Sequence, residues 1–222
     1  MKKLILTTFI SFLFISNLLG QEGHKINADI DLSFGLHYFN SEINNPLAGG
    51  ASLGYEYDVN MFFGVEAGFR FGGFNQKIGY TSGPNIQPEG VLKAGLVDIP
   101  TPEAIYKGTY WAPYIAPKFY LPIGYDDKKD RARFIFIENR FSLTHISLDL
   151  DKVNNQSGST GKNCFMYEIR AGYMFPINER WGMSCWLGYN TFDFSKVKPS
   201  EIRYKNSTPL QIGIGFNYII SQ

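Results

Sequence analysis

CFMYEIRAGYMFPINERWGMSCWLGYNTFDF, residues 164–194, carries the clearest pattern in the chain. In its first half Phe165, Tyr167, Ile169, Ala171, Tyr173 and Phe175 fall on every second residue, with Met166, Glu168, Arg170, Gly172 and Met174 between them. A period of two predicts a β-strand with one apolar and one mixed face. Pro176, Ile177, Asn178, Glu179 and Arg180 break the pattern as a short turn. It then resumes, with Trp181, Met183, Cys185, Leu187 and Tyr189 on one face and Gly182, Ser184, Trp186, Gly188 and Asn190 on the other. Each run is about eleven residues, longer than the five or six usual in soluble sheets and suited to a tilted strand crossing a bilayer. The apolar face is rich in aromatics, while Glu168 and Arg170 sit mid-strand on the other. In a membrane barrel such charges point into the lumen and the apolar face meets lipid.

The same reading extends outward. Ile30, Leu32, Phe34, Leu36 and Tyr38 alternate in a first strand. Ala51, Leu53, Tyr55 and Tyr57 mark a second, and Phe63, Val65, Ala67, Phe69 and Phe71 a third, with Asp58, Val59 and Asn60 as the turn between. A fourth, about 110–121, carries Pro113 and Pro117 on its apolar face, and proline is disfavoured inside a sheet; a bulge at Pro117 would accommodate one of them. A fifth runs over about 133–145, the opening hairpin supplies the sixth and seventh, and Leu210, Ile212, Ile214, Phe216, Tyr218 and Ile220 form the eighth. Residues 39–46, 72–109, 151–163 and 195–208 read as long polar connections, and those after the second and sixth strands as short turns. The ends of the 72–109 segment are positioned to continue its hairpin past the membrane.

The 222 residues include 14 Tyr, 19 Phe and 23 Gly, and the net charge is near zero. No basic excess points to nucleic acid. Lys2, Lys3 and the apolar run from Leu4 to Leu19 make residues 1–20 an expected signal peptide, with cleavage near Gly20 and Gln21. Residues 21–28 then read as a short periplasmic segment and 29–220 as one barrel domain. Cys164 and Cys185 are placed far apart by the hairpin register and read as small apolar fillers.

The exported alternating strands, aromatic faces and apolar last strand resemble the small outer-membrane β-barrel proteins of Gram-negative bacteria, with OmpA/OmpX-type architecture, over about residues 29–220. The resemblance implies an all-β fold, an eight-stranded antiparallel up-and-down transmembrane β-barrel. It implies an outer-membrane location, lipid around a monomeric barrel, and no catalysis. A surface ligand or envelope protein is the expected partner of the outer loops.

Strand parity places Glu56, Glu66, Arg70, Lys118, Glu138, Arg140, Glu168 and Arg170 inside, where they are expected to pair in an ion network because unpaired buried charge is costly. Phe62, Phe134, Phe136 and Trp186 share that parity and are expected to fill a lumen only wide enough for side chains. His24, His37 and His145 lack ligand spacing, and no metal or cofactor is expected. Two other functions compete. His145, Ile146 and Ser147 resemble the His-x-Ser core of outer-membrane lipid A deacylases, which implies Ser147 as nucleophile and His145 as general base. Leu148 stands where that motif has Asn, and Asp149 and Asp151 are the nearest acids. A soluble exported β-sandwich or lipocalin-like binder would instead bury the apolar faces.

Overall fold

The computed structural model describes residues 23–34, 47–79, 102–152, 157–191 and 209–221. The expected signal peptide lies outside the described residues, as do Leu36 and Tyr38 of the first strand. Eight strands follow in order: β1 (Gly23–Phe34), β2 (Leu47–Asn60), β3 (Phe63–Gly79), β4 (Pro102–Asp126), β5 (Arg131–Lys152), β6 (Ser157–Pro176), β7 (Trp181–Asn190) and β8 (Leu210–Ser221). Each is antiparallel to its sequence neighbour, and β8 closes on β1 through pairs such as Leu32 with Ile212. The sheet is a closed eight-stranded up-and-down barrel. Closure satisfies every strand edge within the ring, as a lipid environment requires.

The faces are inverted relative to a soluble protein. Ile30, Leu53, Phe71, Ile115, Phe165 and Leu187 point outward and are exposed, Leu187 by 69%. Charged side chains point inward and are buried: Glu66 is 0% exposed and Arg140 1%. A soluble barrel or sandwich would place these groups the other way round, because exposing a continuous apolar belt to water forfeits about 25 cal/mol per Å². The surface is that of a barrel spanning a bilayer.

Three tight connections, residues 61–62, 127–130 and 177–180, lie at one end of the barrel. Local polar groups build them. The Asn60 side-chain carbonyl accepts from the Phe62 N–H at 2.8 Å, and that of Asn178 accepts from the Arg180 and Trp181 N–H groups at 2.9 and 2.8 Å. Asp130 adopts φ 52°, the left-handed conformation that Asp tolerates.

Several boundaries differ from those expected. β1 begins at Gly23, so most of the expected 21–28 periplasmic segment is strand; Lys25 and Asn27 face in while Ile26 and Ala28 face out. Polar residues on the inner face mask this start. At the opposite end β3 runs to Gly79 and β4 begins at Pro102, the hairpin continuation expected at the ends of 72–109, while β6 begins at Ser157, earlier than expected. The Ser-, Gly- and Asn-rich run 157–163, expected in a loop, pairs with β5 from Asp151 to His145. Beyond the bilayer both faces of a strand meet water, so the ladder persists without apolar alternation.

The β4 prolines need no bulge at Pro117. Pairing with β3 is continuous through Phe69–Pro113 and Val65–Pro117, while the ladder to β5 skips those positions and keeps its register from Trp111–His145 to Pro122–Phe134. Both prolines are in phase along the strand, so both direct their missing donor to the same neighbour. The irregularity falls instead between Pro122 and Gly124.

Candidate functional site in the barrel lumen

Register builds the site. β5–β6 pairing sets Glu138 opposite Arg170 and Arg140 opposite Glu168, and β4–β5 pairing sets Lys118 opposite Glu138. All eight residues assigned to the lumen by parity are buried inside the barrel. The Arg140 guanidinium donates to Glu138 at 2.8 Å, Asp29 at 3.2 Å and Ser52 Oγ at 3.2 Å. It also lies over the Tyr114 ring, 3.8 Å from the centroid. Arg170 donates to Glu168 at 2.8 Å and Asp29 at 3.3 Å and stacks over Trp186 at 3.9 Å. Arg70 bonds both Asp31 and Glu168.

Glu56 and Glu66 are direct cross-strand neighbours, an arrangement that repels unless bridged. Lys118 bridges them, bonding Glu66 and lying 3.1 Å from Glu56, with Glu138 at 3.5 Å. Asn27 Nδ2 donates to both, at 2.6 Å to Glu56, and the Tyr114 and Tyr120 hydroxyls donate to Glu66 and Glu56. Lys25 extends the chain to Asp58 at 2.6 Å. Lys25, Asn27, Asp29, Asp31 and Asp58, with the tyrosines, are the members that parity reading missed. The signal was present, since Lys25, Asn27, Asp29 and Asp31 alternate in phase along β1. With them the carboxylates outnumber the cations among the described lumen residues, and neutral donors from Asn27, Ser52, Tyr114 and Tyr120 reach Glu56, Glu66 and Asp29.

Toward the end with the tight turns, Tyr120, Phe136, Met174 and Trp186 form a buried cluster with Phe134 packed against it. Phe62 is not part of it. It lies in the 61–62 turn, 39% exposed, because the β2–β3 turn interrupts parity there.

Glycine makes room for the lumen aromatics. A Cβ at Gly213 would lie 2.2 Å from the Trp186 ring, and one at Gly68 would lie 2.5 Å from Tyr114 and 2.6 Å from the Leu53 carbonyl. Parity alone suggests that Gly68→Ser is mild; the packing says otherwise. We expect it to destabilise the barrel by about 1–3 kcal/mol, the usual cost of overpacking, read as a lower urea midpoint for the folded form.

His145 and Ser147 both sit on the outer face. His145 Nδ1 is bonded to Asn163 Oδ1 at 2.6 Å, and its ring stacks 5.3 Å from Trp111. Ser147 pairs across the sheet with Thr109 and Gly161, and among the described residues no hydrogen bond joins it to His145. The side chains of Asp149 and Asp151 lie outside the described residues.

No protein-family model matches the sequence, and neither does any curated protein. Among solved structures, Neisserial surface protein A aligns over 88% of this chain and 96% of its own at 11% identity, with a TM-score of 0.47. Ail, the attachment invasion locus protein of Yersinia pestis, aligns over 91% of this chain and 99% of its own at 14% identity and TM-score 0.43. The N-terminal β-barrel domain of Pseudomonas aeruginosa OprF aligns over 89% and 100% at 11% identity and TM-score 0.42.

Proposed function

We propose that this chain is a non-enzymatic outer-membrane barrel, a rigid scaffold with a closed lumen that presents its long connections at the cell surface to a surface ligand or envelope protein. The observation that carries the reading is the inverted surface: an exposed apolar wall around a buried ion network. A wall of this kind requires lipid, and a lumen packed with paired charges and aromatics supports a closed barrel over a channel. Recognition then falls to the loops, which are free to vary on a fixed frame. The tight turns belong in the periplasm and residues 80–101 outside.

Protease added to intact cells is expected to cut within residues 80–101 and to spare the 127–130 turn; cutting at that turn instead reverses the topology. Because β3 reaches Gly79 and β4 starts at Pro102, the informative deletion is 80–101 replaced by a short Gly-Ser link. The barrel should still migrate as a compact, heat-modifiable band, with surface binding lost. A deletion that abolishes the compact band shows that the segment serves assembly rather than recognition.

A further inference from the structure

The 127–130 and 177–180 turns are joined to each other. The Lys129 ammonium donates to the Pro176 carbonyl at 2.7 Å, and the Arg131 guanidinium donates to the Asn178 carbonyl at 3.2 Å. Asn178 also fixes the second turn through its bonds to the Arg180 and Trp181 N–H groups. The two turns therefore act as one unit, and between them lies a cleft of about 550 Å³ lined by Lys128, Lys129, Glu179, Arg180, Trp181 and Tyr218 among others.

The cleft has a wet side and an oily side. Trp181 and Tyr218 pack at 4.9 Å between ring centroids on the outer wall, and Trp181 is 46% exposed. Such rings mark the level of lipid headgroups. Below them the outward Phe216 and Ile214 continue the apolar wall. On the wet side, Lys129 is engaged with Pro176 and lies 3.7 Å from Asp126, which Arg133 also contacts at 3.1 Å. Among the described residues the Arg180 guanidinium donates only to the Tyr218 hydroxyl, at 3.3 Å, which leaves most of its donors open. The Lys128 ammonium has no hydrogen-bond or ion-pair partner among the described residues. Two under-used cations thus face a cleft at headgroup depth, with one acid, Glu179, beside them.

We propose that this cleft binds the headgroup of a glycerophospholipid of the periplasmic leaflet. Lys128 and Arg180 take the phosphate, and Glu179 takes an ammonium carried on the same headgroup. Cations at a membrane surface attract lipid phosphate, and the guanidinium fork matches its oxygens. A purely anionic headgroup would meet Glu179, so a zwitterionic ethanolamine headgroup is the better complement. The acyl chains run down the wall past Trp181 and Phe216. The assignment rests on the membrane reading above, which fixes where the headgroups lie.

The test uses purified full-length barrel, delipidated in detergent and offered phosphatidylethanolamine or phosphatidylglycerol, with retained lipid counted by native mass spectrometry. Wild type should keep one phosphatidylethanolamine. The Lys128→Glu/Arg180→Glu pair should weaken retention of both lipids by at least about tenfold, and Glu179→Gln should erase the preference for ethanolamine. Both cations lie outside the barrel wall, so the heat-modifiable band should persist; if it is lost, the Lys128→Gln/Arg180→Gln pair is held to the same criterion. Undiminished retention in the pair overturns the assignment, as does an unchanged preference in Glu179→Gln. Displacement of the lipid by equimolar inorganic phosphate also overturns it, by showing a site for free phosphate. Flotation of wild type with vesicles separates the two readings. Failure to float contradicts the membrane barrel itself, whereas a floating barrel that keeps no lipid contradicts only the cleft.

Discussion

Ile169→Arg is expected to block assembly of the barrel. Ile169 is on the outer face of β6, 39% exposed, flanked across the sheet by Tyr189 and Asn139. Arg at the bilayer midplane of a barrel wall costs about 2–4 kcal/mol, falling toward the interfaces. Ala67 faces the same way on β3, so Ala67→Arg should behave alike. The measurement is the fraction reaching the compact band after refolding into vesicles. Efficient assembly of both variants would show that these faces do not meet lipid. A soluble barrel would accept either substitution at an exposed site with little cost, within about 0.5 kcal/mol, which makes the pair a sharp discriminator.

Arg140→Met should lower stability by about 3–5 kcal/mol, because removing one member of a buried ion network strands its partners. Arg140 contacts Glu138 and Asp29 directly and lies 3.6 Å from Glu66. Its loss leaves those carboxylates facing one another, with Lys118 and Arg170 alone to balance them. The Met side chain still covers Tyr114, so the effect is electrostatic rather than a cavity. Urea unfolding in vesicles reads it out. Adding Glu138→Gln to Arg140→Met should recover part of the loss, since it removes one stranded charge. A single variant as stable as wild type would mean that the network contributes no cohesion to the lumen.

Much of this was legible from alternation. Glu138 and Arg140 are two apart on one strand and Glu168 and Arg170 two apart on the next, so parity places all of them on one side and the composition of the other face says which side is lumen. Parity says nothing about partners. That Arg140 bonds Asp29 while its cross-strand neighbour Glu168 bonds Arg70 and Arg170 depends on how far β1 is staggered around the closed ring. Asp31 alternates with Ile30 and Leu32 in the first strand as read, while Asp29 sits at its edge, where the polar residues before it obscure the start of β1. Gly68 looked permissive because alternation cannot report what leans over a position from the next strand, and Tyr114 does. The extension of β4 over 102–109 is the hairpin continuation expected at the end of the 72–109 segment, whereas that of β6 over 157–163 was hidden for another reason. Outside the bilayer a ladder holds by backbone bonds, and its side chains need no apolar face. Phe62 shows the converse error, since a tight turn resets the phase and a residue of inward parity ends on the surface.

In the proposed barrel the lumen is closed by its own side chains, with charge paired along the axis and the Tyr120, Phe136, Met174 and Trp186 cluster beneath. Recording current across a planar bilayer that contains purified, heat-modifiable barrel tests it most directly. A closed lumen leaves the membrane silent, with no steady steps at any applied voltage that the bilayer survives. Reproducible single-channel steps that scale with salt concentration would contradict it.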